Sequence, residues 1–112
     1  MKVIFNVNDK LTFEIEADTQ RNVFESLATI QEVFNETKCE KCKGEDLQYV
    51  VRNVNGDDYY ELRCKNRDCR ARLSYGVHKQ GGTLFAKRKD KDNNWLNNSG
   101  WLRWNKETQQ EE

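Results

Sequence analysis

Four cysteines are the residues in this 112-residue chain best placed to do chemistry. They form two close pairs, Cys39-Glu40-Lys41-Cys42 and Cys64-Lys65-Asn66-Arg67-Asp68-Cys69, with twenty-one residues between them. Thiolates separated by two or four residues turn back on one cation. Two such pairs complete a tetrahedral four-sulfur shell, the set that zinc favours. Cys39, Cys42, Cys64 and Cys69 are therefore candidate ligands of a structural Zn2+. The competing reading is two disulfides in an exported protein. Met1–Val7 is too polar and too short-patterned for a signal peptide, and in a reducing compartment paired cysteines serve as ligands. A cytoplasmic location is the expectation.

Catalytic constellations are otherwise scarce. A closed four-sulfur shell leaves no open metal position for a reacting water. His78 is the only histidine and has no apparent nucleophile beside it. Gly81-Gly82 lacks the third glycine and the Lys-Ser/Thr of a phosphate loop. Asp57-Asp58 and Asp90/Asp92 sit among turn formers or cations and read as solvated loop charge. The expectation is a protein without catalytic activity.

The second chemically informative group is cationic and aromatic. The chain is neutral overall, yet residues 1–37 hold three Lys/Arg against seven Asp/Glu, while residues 63–91 hold ten against two. An acidic front and a basic second half suggest two faces with different partners. Arg63, Lys65, Arg67, Arg70 and Arg72, with Lys87, Arg88 and Lys89, form a candidate track for phosphates. Tyr75, Phe85 or Trp95 offer flat rings for unpaired bases. All three tryptophans lie within residues 95–104. They are open to two readings, stacking surface or plugs of a small core.

The elements that must position these groups follow from periodicity. Residues 2–7 and 11–17 alternate around Asn8-Asp9-Lys10, which predicts a hairpin with Val3, Phe5, Val7, Leu11, Phe13 and Ile15 on one side. Asp18 or Thr19 can cap a helix over about 20–36, with Val23, Phe24, Leu27, Ile30, Val33 and Phe34 on one stripe that packs on the hairpin. The alternative is that the stripe docks a partner helix. Residues 47–54 and 59–63 flank the turn signal Asn55-Gly56-Asp57-Asp58, and residues 71–77 form a third strand. With 34% charged residues the core must be small, and a bound metal would add stability that burial alone does not supply. No apolar run reaches membrane-spanning length, so no membrane partner is expected.

The order of cysteine knuckle, hairpin, knuckle and strand over residues 38–79 resembles the zinc-ribbon family. The resemblance carries that family's metal ligands onto Cys39, Cys42, Cys64 and Cys69. The chain departs from the commonest family pattern in its second pair, which encloses four residues and lacks an immediately following glycine. Residues 81–104, with the run Gly-Gly-Thr-Leu-Phe-Ala-Lys-Arg-Lys-Asp and the Trp-x5-Trp-x2-Trp spacing, resemble small zinc-ribbon proteins of phage and mobile-element replication or recombination loci.

The resulting expectation is an α+β chain. A ββα unit spans 1–37, an antiparallel zinc-ribbon sheet with a basic and aromatic extension spans 38–105, and a frayed tail spans 106–112. The expected function is non-catalytic binding of nucleic acid, single-stranded DNA in particular, with low sequence specificity. The alternative is a protein-interaction adaptor acting through the acidic ββα face.

Overall fold

The computed structural model describes residues 1–112. In chain order the elements are β1 (Lys2–Val7), β2 (Leu11–Glu16), α1 (Gln20–Phe34), β3 (Leu47–Val54), β4 (Asp57–Cys64), β5 (Arg72–Val77) and β6 (Leu84–Ala86). A short 3-10 segment at Asn97–Gly100 leads to β7 (Trp101–Leu102), β8 (Trp104–Asn105) and β9 (Gln110–Glu111). One helix with antiparallel sheets makes the chain α+β, as the periodicities predict.

The first hairpin pairs Val3 with Ile15, Phe5 with Phe13 and Val7 with Leu11, which puts the apolar set on one side. Thr19, not Asp18, caps α1 by accepting a hydrogen bond from the Asn22 N–H at 3.1 Å. Val7, Ile15 and Val23 are buried where the helix lies on the hairpin. Further along, Val33 enters the core of the larger sheet, and the Phe34 ring bridges Phe13 and Tyr49 at 5.1 and 5.8 Å. Phe24 departs from the expected stripe and is 74% exposed. It follows Val23 by one residue, about 100° round the helix, and so misses the narrow contact with the hairpin.

The larger sheet runs β3-β4-β5-β6, and β7 shares β5's outer edge with β6. Asn55 and Gly56 take φ of 54° and 89°, the left-handed pair of a two-residue hairpin turn, so β4 begins at Asp57, earlier than its apolar pattern. One face is apolar: Leu62, Leu73, Tyr75, Ala86 and Trp101 form the core with Val33, Ala71 and three of the cysteines. The opposite face carries Gln48, Arg52, Glu61, Arg63 and Arg72, because Gln48 pairs with Arg63 and Arg63 with Arg72 across the ladder.

One expectation is corrected here and one open reading is resolved. The tail does not fray: Gln110 and Glu111 pair with Asn105 and Trp104, and Glu112 exchanges backbone hydrogen bonds with Arg103 at 2.9 and 3.2 Å. The tryptophans divide between the two readings, with Trp101 fully buried and Trp95 and Trp104 exposed. Trp101 sits opposite Leu73, and its indole N–H donates to Glu36, a linker carboxylate that also holds Arg88. No helix is long and apolar enough to cross a membrane.

Candidate functional site

The two cysteine pairs meet at the open end of the β3–β4 hairpin, away from its Asn55-Gly56 turn. Leu47 pairs with Cys64, so the linker carrying Cys39 and Cys42 arrives beside the end of β4, and Cys64 N–H donates to Ala71 O at 2.9 Å to bring Cys69 round. All four sulfurs lie within 4.8 Å of one another and none is oxidised to a disulfide. Cys39 and Cys69 Sγ are 3.7 Å apart, and Cys42 and Cys64 Sγ 3.5 Å. A metal–sulfur bond of about 2.3 Å gives a tetrahedral edge of about 3.8 Å, so these two pairs have the spacing of edges in a four-thiolate metal site.

The backbone is folded to support anionic sulfur. Lys41 N–H points at Cys39 Sγ at 3.3 Å, and Gly44 N–H at Cys42 Sγ at 3.4 Å. Lys43 and Arg70, each directly after the second cysteine of its pair, adopt φ of 65° and 54°. The second knuckle therefore makes its turn without glycine, spending a left-handed arginine instead; Asn66 O receives both Cys69 and Arg70 N–H. Burial pushes the Cys39 thiol up and the Cys64 thiol to about 12, whereas the Gly44 N–H draws Cys42 down to about 7. A bound cation overrides such burial penalties, since a coordinating thiol is deprotonated outright. The donor set, its spacing and its N–H partners fit a structural metal.

Next to the second knuckle lies a cleft of about 570 Å³ on the polar face of the sheet. Arg63, Lys65, Arg67, Arg70 and Arg72, the five cations predicted from this part of the chain, all line it. Arg103 adds a sixth, and Gln48, Trp104 and Glu111 complete the polar and aromatic lining. The candidate track left out Arg103 and Glu111, and Trp104 stood open between stacking surface and core, because nothing in residues 105–112 marks the hairpin that swings them over the sheet. The usable signal was the Trp-Leu-Arg-Trp run at 101–104, in which a buried indole is followed by a cation and an exposed indole.

Glu61 organises this face. Its side chain is 2% exposed and meets Arg63 at 2.8 Å, Arg72 at 3.0 Å and Arg52 at 3.3 Å. Burial works against its charge, but the Arg63 hydrogen bond, the Arg72 charge and the Arg52 hydrogen bond outweigh it and hold the carboxyl below the usual carboxylate range. Arg52 also lies over the Tyr59 ring, 5.1 Å from its centroid. The buried Nε atoms of Arg63 and Arg72 have no acceptor, so donors outnumber acceptors throughout the cluster. Such an excess favours an incoming anion.

The remaining predicted contact residues do not join the cleft. Tyr75 is buried on the opposite face and donates its hydroxyl to Val33 O at 3.1 Å, with burial pushing the phenol up. Strand alternation sets it in the core, so it offers no stacking surface. The half-buried Phe85 ring lies on Gly76, where an added Cβ would come within 2.4 Å of it, packs near His78, and shares a separate hollow with Lys87, Arg88 and Lys89. Arg88 is committed to Glu36 and to Ser99 O at 2.9 Å. Lys89 lies over the exposed Trp95 ring, 4.9 Å from its centroid, on a separate loop. Lys87 is the exception, sharing a smaller hollow with Arg72 and Glu111 beside the main cleft. Compared with protein-family models, curated proteins and solved structures, the chain matches none.

Proposed function

We propose that the chain is a non-catalytic, zinc-stabilised nucleic-acid-binding protein of zinc-ribbon type that takes single-stranded DNA with low sequence specificity. The observation that carries this reading is the convergence of six cations and the exposed Trp104 indole on one cleft. Guanidinium groups match phosphate oxygens, an exposed indole stacks on any unpaired base, and neither reads sequence. Zinc is the metal best suited to four thiolates, and here it would hold the second knuckle, with Lys65, Arg67 and Arg70, against the sheet. A setting in phage or mobile-element replication or recombination extends this reading from the style of residues 81–104.

The test is an anisotropy titration with a labelled single-stranded oligonucleotide, with duplex of the same sequence alongside. Five phosphate contacts would weaken binding about a hundredfold between about 50 and 200 mM salt. Arg103→Ala should flatten the salt slope by about 0.7 and weaken all sequences alike. Affinity that ignores salt, or absence of binding at the lower salt, overturns the reading; tighter binding to duplex overturns the single-strand assignment.

The adaptor alternative draws on Ile4 and Phe24, both more than 70% exposed on the acidic front. Phe24→Ser separates the two readings: it should leave oligonucleotide affinity unchanged if the cleft is the functional surface.

A further inference from the structure

Arg72 differs from the other cleft cations in holding two carboxylates at once. Its Nη1 donates to the buried Glu61 at 3.0 Å, and its Nη2 is bonded to Glu111. Glu61 already has Arg52 and Arg63 as partners, so Arg72 is oriented from below without Glu111. Glu111 contributes nothing to that buried cluster directly. It is instead an anion seated at the mouth of an anion site, on a guanidinium whose fork accepts a carboxylate or a phosphodiester with similar geometry.

The segment that delivers Glu111 is lightly held. β9 is two residues long and pairs only with the two residues of β8. Asn105 and Thr108 fasten the Glu112 side chain to the same hairpin at 3.1 and 2.8 Å, so the hairpin's own bonds are internal to it. Trp104 pairs directly with Glu111 across the ladder, which places the indole and the carboxylate on one side of the hairpin, over the cleft.

We propose that Glu111 is a built-in competitor for the cleft, occupying Arg72 in place of a backbone phosphate until a single strand displaces it. The proposal rests on the nucleic-acid reading above and adds regulation of the same site. Releasing the carboxylate frees one guanidinium that Glu61 keeps aimed at the cleft and uncovers the space beside Trp104. Affinity in the resting protein is then set below what six cations would otherwise give.

The experiment is an anisotropy titration of labelled single-stranded oligothymidylate at about 50 mM salt, comparing the intact chain with Glu111→Gln and Glu107→Gln. Glu107 is an exposed residue of the same hairpin's turn and does not line the cleft, so its variant makes the same change in net charge. Glu111→Gln should bind about three- to tenfold tighter, and Glu107→Gln less than about twofold. Equal tightening by the two variants means a general charge effect and overturns the competitor. So does an unchanged affinity for Glu111→Gln. If the intact chain and both variants alike fail to bind, the nucleic-acid reading itself falls, a result distinct from binding that is indifferent to Glu111.

Discussion

Glu61 places a single carboxylate among three guanidinium groups on a face that would otherwise repel itself. Glu61→Gln removes the countercharge while leaving the side-chain volume, and should cost about 2–3 kcal/mol in urea unfolding, because partly buried cations are left without an acceptor of their charge. The pH dependence has a definite sign. The folded-state carboxyl titrates below its unfolded value, so the unfolded chain binds the proton first as pH falls. The stabilisation is complete above about pH 4.5 and is lost as pH drops through the lower folded value. Subtracting the Glu61→Gln stability profile from that of the intact chain between about pH 6 and 3 should give a difference that shrinks toward acid. A flat difference would show that the carboxylate's charge is not what the arginines use. This residue was not legible from sequence. Glu61 sits in an alternating strand among many other charges, and only the β3-β4-β5 register brings Arg52, Arg63 and Arg72 to it.

At the scale of elements, the strands and the helix were legible because each has a local period and a local stop. The first hairpin, α1 with its Thr19 cap, and the Asn55-Gly56 turn all follow from residues within a few positions of one another. The β8–β9 hairpin was not legible, since Lys106–Glu112 contains no apolar alternation and its strands are two residues each. The packing of Phe85 was not legible for a related reason: its partner, Gly76, lies on another strand and has no side chain to announce itself. The contact makes a clear prediction. Gly76→Ala sets a methyl against the Phe85 ring, and the ring or the edge strand β6 that carries it must shift, at a cost of about 1–3 kcal/mol in thermal or urea unfolding. If Gly76→Ala melts with the unaltered chain, Phe85 is not seated on the strand as described.

At the scale of the whole molecule, the cysteine cluster connects the sheet core to the cationic face. Cys39, Cys64 and Cys69 belong to the same buried cluster as Leu62, Leu73 and Trp101, so loss of a metal there would unsettle the core and the cleft together. Chelation under reducing conditions, or Cys64→Ser, should release one metal ion per chain by elemental analysis. Either should also lower the melting temperature far more than a surface substitution does. A chain that keeps its melting temperature after chelation would show that thiol packing alone suffices. The clustering of the four cysteines was legible in the sequence because two tight pairs leave few other uses for them. The cleft was half legible: five of its cations come from one stretch, while Arg103 and Trp104 are turned onto the sheet by a following tail with no pattern of its own.

Trp101 has a consequence for the order in which this chain can be completed. Both knuckles are finished by residue 69, yet the indole that lies against Leu73 and ties to Glu36 belongs to the last eighth of the sequence. A nascent chain halted on the ribosome before that ring emerges would already hold all four sulfurs, but with an open slot in its centre. Final closure of the interior must therefore wait until Trp101 itself has been made, 32 residues after the last cysteine.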